Sequence, residues 1–186
     1  MTALQQVQPT LRELDLSIDL YSKCSEEVDD FNILPVKGQL SSLQGFSHLR
    51  KLKAPIVALL GWSPGELPFR LAEVLPVGLT HLGLTEDMVT QYGYEWDEEL
   101  VLEELDAFLG VWRSVTPDLQ AVDVWIFRFY RWKDADEARL RMMCEEAGLL
   151  CTIHDQTSHS CSLMDFQLLQ PLPKPTIREY HLIPSL

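Results

Sequence analysis

The sequence has little positive charge and few cysteines. Its 186 residues include 15 lysines and arginines against 28 aspartates and glutamates, which gives a formal net charge of -13. Because so acidic a surface repels phosphate groups, we expect neither nucleic acid nor an anionic membrane as a partner, and basic protein surfaces are favoured. The 4 cysteines form no C-x-x-C pair. We therefore expect reduced, mostly buried thiols rather than a disulfide framework.

Long apolar runs and common catalytic motifs are also missing. No uninterrupted apolar stretch approaches the ~18 residues of a membrane span. The first residues lack the charged start and apolar core of a secretory signal. We therefore expect an intracellular protein of the cytoplasm or nucleus. The sequence also lacks a glycine-rich phosphate loop, G-x-S-x-G and H-E-x-x-H, which are the usual motifs of several enzyme classes. No cofactor is expected.

One pattern recurs along the chain, a turn followed by L-x-x-L-x-L. It occupies residues 11–16, 49–54, 79–84 and 119–124, with alanine or valine at some leucine positions, and a degenerate fifth copy occupies 149–153. The first positions of the copies lie 38, 30, 40 and 30 residues apart. Regular leucine-rich repeats are about 20–29 residues long, so each unit here must hold a longer loop or a helix.

The alternation of apolar and polar residues within the copies is typical of β-strands. Side chains of a strand point to alternate faces, so Leu14 and Leu16 point one way while Glu13 and Asp15 point the other. One strand cannot bury its apolar face alone, whereas parallel copies backed by helices bury a continuous core. The sequence therefore predicts an α/β fold, a short leucine-rich-repeat-like solenoid arc with parallel strands on one face and helices and loops on the other.

Two segments between the copies have helical spacing. Apolar residues from Val101 to Trp112 recur at steps of four, three and four, which predicts a helix over about 97–114. A second helix is predicted over about 134–147, ended by Gly148. The first segment is rich in acidic residues, which could meet a basic partner, but a solvated helix face is the favoured interpretation.

The order of several further segments carries a family resemblance. They are 43–52, 58–62, 71–84, 117–119 and 144–149, with Trp112 on the helix between the third and the fourth. In this order, over about residues 9–155, the chain resembles the leucine-rich-repeat-like region of fungal F-box-type proteins. In that family the repeat region follows an F-box and captures targets for a ubiquitin ligase. The resemblance implies a non-catalytic protein–protein interaction scaffold that recognises substrates.

The domain organisation departs from that family, because no F-box is visible and the sequence begins directly in a repeat. We expect a repeat domain over 1–158 and a proline-containing C-terminal tail or cap over 159–186. The expected partner is another, unidentified protein. Ubiquitin ligase components are expected partners as well if an F-box precedes this sequence in its gene.

The polar residues of the predicted strands form the first candidate site. If the leucines point inward, the residues between them line one open face, and repeat proteins commonly bind partners with that face. The alternative is an ordinary solvated sheet face, or one that the tail covers. The predicted partner-binding residues are Lys51, Lys53, His81, Asp123, Trp125, Thr152 and His154.

The segment 124–132 is rich in aromatic residues and arginine. Trp125, Phe127 and Phe129 are predicted to point away from the core side of their strand, and Trp, Tyr and Arg dominate the energetic hot spots of interfaces. The alternative, which we favour, is that helices bury both faces, as a central parallel strand requires.

A zinc site is a weaker hypothesis. Cys151, His154, His159 and Cys161 could supply four ligands. However, Cys151 and His154 are predicted to point to opposite faces of one strand. We therefore expect no metal.

Catalysis is a second weaker hypothesis. His81 and Asp123 could approach each other across neighbouring strands, whereas His154 and Asp155 are adjacent and point apart. General acid–base catalysis also needs a pocket and a tuned pKa, which the sequence does not indicate. We expect no catalytic residue, and the alternative function is a small-molecule enzyme or accessory protein of a fungal pathway that reuses the scaffold.

Overall fold

The computed structural model describes residues 6–18, 40, 43–64, 70–87, 94–126 and 132–155. Their contacts assign every described element to one compact unit, Met1–Gln156. Within these ranges, no helix has both the length and the apolar composition that crossing a bilayer requires. The predicted C-terminal tail or cap lies outside the described residues.

Five described segments form a parallel β-sheet. Its strands are β1 (Glu13–Asp15), β2 (Lys51–Pro55), β3 (His81–Thr85), β4 (Ala121–Ile126) and β5 (Leu150–Asp155). Each strand pairs with the next one along the chain, so the spatial order of the strands is their sequence order. The strands coincide with the five sequence copies, which confirms the predicted α/β class and the parallel sheet.

The register of the sheet aligns the apolar positions of the copies. Leu14, Leu52, Leu82, Val122 and Cys151 are successive partners across the five strands. The three residues of this row that lie in central strands are 2% exposed or less, whereas the two in the outer strands of the described sheet are partly exposed. One row of copies therefore forms the inward face, as the alternation predicted.

Helices occupy the connections between the strands. They are α1 (Ile56–Leu60), α2 (Leu71–Val74), α3 (Glu98–Leu109), α4 (Trp112–Val115) and α5 (Asp134–Ala147), and a 3-10 turn at Leu43–Gly45 precedes β2. Their buried apolar residues join the inward strand residues in one core. The chain passes through α3 and α4 between β3 and β4, and through α5 between β4 and β5.

The predicted acidic helix forms, but it is shorter than predicted. Asp97 caps α3, because its Oδ1 accepts a hydrogen bond from the backbone N–H of Leu100 at 2.9 Å. The predicted apolar face is buried, and Phe108 is only 1% exposed. The helix ends before Gly110 rather than at residue 114, and the separate turn of α4 follows.

One acidic residue of α3 is buried, which corrects the prediction of a fully solvated acidic face. Glu104 is 4% exposed. Its carboxylate accepts hydrogen bonds from the backbone N–H of Leu71 at 2.8 Å and from Nη1 of Arg70 at 2.6 Å. A buried carboxylate needs such partners, and the same bond and charge raise the pKa of Arg70. Glu104 therefore ties the first turn of α2 to α3.

The second predicted helix is confirmed as α5. Gly148 follows it with φ 77°, a left-handed conformation that glycine adopts without the penalty of a Cβ atom. The guanidinium of Arg139 donates to Glu99 at 2.8 Å and links α5 to α3 on the exposed side of the helices. The reversal at Gly148 then sends the chain directly into β5.

Candidate functional site

The strand residues between the apolar positions form a second face of the sheet, called the outward face below. The register arranges it in three rows that cross the strands. All seven predicted partner-binding residues lie on it, which follows from the two-residue alternation of the strands. The first row is Glu13, Lys51, His81, Ala121 and Leu150, the second is Asp15, Lys53, Gly83, Asp123 and Thr152, and the third is Pro55, Thr85, Trp125 and His154.

An indole ring stands on β4, in the third row of the outward face. The ring of Trp125 is stacked on the imidazole of His154, with centroids 4.4 Å apart and an interplanar angle of 12°. Nζ of Lys53 lies 4.5 Å from the indole centroid, within cation–π distance. Because β2 and β5 lie on opposite sides of β4, the lysine and the histidine approach the ring from opposite sides.

Gly83 provides the space that this ring occupies. A Cβ atom built at Gly83 would lie 2.8 Å from Cζ3 of Trp125 and 3.1 Å from Cβ of Lys53. Any side chain at position 83 would therefore push the indole ring of Trp125 away from the backbone of β3. Lys53, Gly83, Trp125 and His154 are called the Trp125 cluster below, and they come from four neighbouring strands.

The sequence interpretation missed the role of Gly83, although one signal was present. A glycine inside a strand often marks a close approach of another group to the backbone. Gly83 stands at an outward position of a copy whose other residues are leucine, threonine and histidine. The partner that approaches it, Trp125, lies 42 residues later in the sequence, so the pairing itself needed the register of the sheet.

Two lysine–carboxylate pairs and one histidine–aspartate contact surround the Trp125 cluster. Nζ of Lys51 lies 3.1 Å from Glu13, Nζ of Lys53 lies 3.5 Å from Asp15, and Nε2 of His154 lies 3.7 Å from Asp123. Such exposed pairs contribute roughly 0.2–1 kcal/mol each, so their main effect is on position rather than stability. Lys53 and His154, which contact the indole ring, each lie beside a carboxylate in this arrangement.

The hypothesised catalytic pair is not brought together. His81 is the register partner of Ala121, and its Nδ1 lies 2.9 Å from Oγ1 of Thr80. Asp123 is paired with His154 instead. The contacts of His81 and Asp123 are thus with other groups, and the geometry gives no support to general acid–base catalysis by these two side chains.

The remaining predicted residue, Thr152, is exposed beside Asp123 in the second row of the outward face. It lies next to the Trp125 cluster without belonging to it. Leu150, which was not predicted, is 73% exposed in the first row of the same strand. The β5 side of the outward face is therefore open and partly apolar.

The favoured interpretation of the aromatic segment does not hold at Trp125. The ring is partly exposed, and its contacts described above come from strand residues of the sheet. By contrast, its neighbours Val124 and Ile126 belong to the buried core. Phe127 and Phe129 lie outside the described residues.

The hypothesised zinc ligands separate as the strand alternation predicted. Cys151 belongs to the inward row. His154 lies on the outward face. Among the described residues no group of three or more His, Cys, Asp or Glu side chains is placed to hold a metal ion. His159 and Cys161 lie outside the described residues.

Comparison with known proteins gives no relative. No protein-family model, no curated protein and no solved structure matches the chain. The resemblance to the F-box repeat region therefore stays a prediction, and function is inferred from the geometry of the outward face.

Proposed function

We propose that the chain is a non-catalytic scaffold that binds another protein on the outward face of a short leucine-rich-repeat-like arc. The strand order supports the repeat interpretation, because five parallel neighbours in sequence order are what stacked strand-and-helix units produce. Each unit contributes one strand to the inward core and one set of polar side chains to the opposite face. Binding surfaces of repeat proteins are assembled in this way.

The observation that carries the proposal is the Trp125 cluster. Tryptophan and arginine residues dominate interface hot spots, which lie at the centre of the contact and are surrounded by side chains that exclude water. Trp125 is partly exposed, stacks on His154 and lies within cation–π distance of Lys53. A partner would therefore meet a large ring that has already lost most of its conformational freedom, which lowers the entropic cost of binding.

The charges of the outward face indicate a partner segment that is basic. The carboxylates of Glu13 and Asp15 are 67% and 66% exposed, and Asp123 adds a third beside the Trp125 cluster. They outnumber the two lysines of the face, and the whole chain carries a net charge of -13. Electrostatic complementarity speeds association and excludes partners of like charge. Acidic partners and nucleic acid are disfavoured for this reason.

Substrate recognition within an F-box ubiquitin ligase is the more specific form of this proposal. Its support is the order of sequence segments that resembles the fungal family. An F-box encoded upstream of Met1 would add the ligase adaptor to the partners, and the outward face would then hold the substrate. A stand-alone scaffold would keep the same binding face without the adaptor.

We expect Trp125→Ala to weaken partner capture at least about 30-fold, which corresponds to a loss of roughly 2 kcal/mol at a hot spot. The measurement is a pull-down from an extract of the source cells, with each captured protein quantified by mass spectrometry against dilutions of the wild-type chain. Melting should change little, because the ring is partly exposed and lies outside the core.

Two further variants separate the role of the ring from that of its neighbourhood. Gly83→Ala keeps the tryptophan but places a Cβ atom where its ring lies, so it should weaken capture as well. Met142→Ala changes a residue of α5 that is 56% exposed, and it should capture the same proteins as the wild type. Equal capture by Trp125→Ala, Gly83→Ala and the wild type would remove the outward face as the binding site.

A further inference from the structure

Two cysteines lie together on the inward side of the sheet, apart from the Trp125 cluster. Cys144 is near the end of α5 and is fully buried, while Cys151 is the second residue of β5. The backbone N–H of Leu149 donates to the carbonyl of Cys144 at 2.9 Å, which closes the turn at Gly148 and brings β5 back along the helix. The two thiols are close enough to interact, since each shifts the pKa of the other.

The two thiols differ in access to solvent. Cys144 lies in the core beneath α5. Cys151 points to the same side but is partly exposed, because β5 is the outer strand of the described sheet. A small reagent therefore reaches Cys151 more readily than Cys144.

The two thiols also differ in acidity. The hydrogen bond from Cys144 lowers the pKa of Cys151, and the charge of Arg141 lowers it further, against the opposing effects of burial and of Asp123. The same bond, together with burial, raises the pKa of Cys144. Since a thiolate and not a thiol is the nucleophile, Cys151 is the more reactive of the two.

We propose that Cys144 and Cys151 form a redox pair that a hydroperoxide oxidises to an intramolecular disulfide. The Cys151 thiolate attacks the terminal oxygen of hydrogen peroxide, so that an S–O bond forms, the O–O bond breaks and hydroxide leaves. The sulfur of Cys144 then attacks Cys151, which forms the S–S bond and breaks the S–O bond. The proton of Cys144 and the one released when Cys151 ionised convert the two departing oxygens to water. The two electrons pass from the dithiol to the peroxide.

The placement of the pair suits this sequence of steps. A reactive cysteine that is accessible and has a second cysteine beside it is the usual arrangement of a redox-sensing site. Here the product would link the end of α5 to the start of β5 across the Gly148 turn. That link joins a helix and a strand that already pack together.

The test uses the full chain with Cys24→Ser and Cys161→Ser, so that only the pair can react. The protein is treated with stoichiometric hydrogen peroxide, remaining thiols are blocked with N-ethylmaleimide, and a protease that cleaves after glutamate is added. Glu145 and Glu146 lie between the two cysteines, so each cysteine enters its own peptide unless a disulfide holds the two peptides together. We expect the linked peptides, and we expect dithiothreitol to separate them.

Single variants assign the two roles. Cys144→Ala should stop at a Cys151 sulfenic acid that dimedone captures, and Cys151→Ala should lower the oxidation of Cys144 by roughly tenfold or more. Alkylation of Cys151 by iodoacetamide should move to higher pH in Cys144→Ala, because the hydrogen bond that lowers its pKa is gone. Cys144→Ser provides a second, size-matched variant if the alanine variant melts early.

Other results would overturn the proposal. One is that peroxide treatment yields no linked peptides and both thiols still react with N-ethylmaleimide. Another is equal oxidation of Cys144 in the presence and absence of Cys151. A pH profile of Cys151 alkylation that is the same with and without Cys144 would also contradict the proposal, since the two sulfurs would then not interact.

Discussion

Replacing Leu82 by alanine is expected to lower the free energy of unfolding by about 2–5 kcal/mol. Leu82 lies in β3, the central strand, with Leu52 and Val122 as its register partners, and it is 0% exposed. The substitution removes buried methyl groups and leaves a cavity. The surrounding side chains of the core relax only partly to fill it. Urea denaturation followed by circular dichroism measures the change, with the denaturant slope expected to stay constant.

Leu150→Ala is the matched control for this experiment. It makes the same chemical change in a strand of the same sheet, but Leu150 is on the outward face and is 73% exposed. Its effect should stay within about 0.5 kcal/mol, as for most surface substitutions. Similar losses for the two variants would mean that the strands do not present the inward and outward faces described above.

The second large effect is expected from Phe108→Ala, which should cost about 3–5 kcal/mol of unfolding free energy. Phe108 is 1% exposed on α3 and belongs to the same core as the inward strand residues. Removing its ring leaves a cavity in this core. The loss therefore measures how firmly α3 covers the inward face, whereas Leu82→Ala measures the packing within that face.

Val111→Ala controls for changes near the same helix. Val111 lies two residues beyond the end of α3 and is 46% exposed, so its truncation should cost no more than about 0.5 kcal/mol. A loss below about 1 kcal/mol for Phe108→Ala would contradict the buried position of the ring. Such a result would indicate that α3 is loosely attached to the sheet.

The strands and their direction could be predicted because their signal is local and repeated. Each copy places apolar residues two positions apart, as Leu82 and Leu84 do in β3, and this spacing fixes which side chains share a face. The repeat itself then predicts neighbouring parallel strands, since no copy can bury its leucines alone. The end of α5 was equally predictable, because Gly148 is the residue type that a left-handed turn favours.

Other features depend on contacts between distant residues, and the sequence did not reveal them. The hydrogen bonds of Glu104 to Arg70 and Leu71 span more than thirty residues, so an acidic residue that looked solvated is buried. Asp123 lies 3.7 Å from His154, while His81 contacts Thr80, and the sequence does not show which of the two neighbouring histidines Asp123 contacts.

The length of α3 was misjudged for a local reason. The apolar spacing continues from Val101 to Trp112 across Gly110, so the periodic pattern alone does not show a break. Glycine is a poor helix former, costing about 1 kcal/mol relative to alanine. The helix ends before Gly110, yet Trp112 of the following α4 is buried in the same core.

The most direct test of the outward face as the binding surface is lysine acetylation with and without the captured partner. Lys51 and Lys53 lie on that face with side chains 55% and 32% exposed, whereas Lys133 is exposed at the start of α5 and is not a residue of the sheet. Mass spectrometry of the labelled chain gives the rate at each lysine. We predict that the partner slows acetylation of Lys51 and Lys53 and leaves Lys133 at its free rate. Protection of Lys133 with unchanged rates at Lys51 and Lys53 would contradict the proposed function.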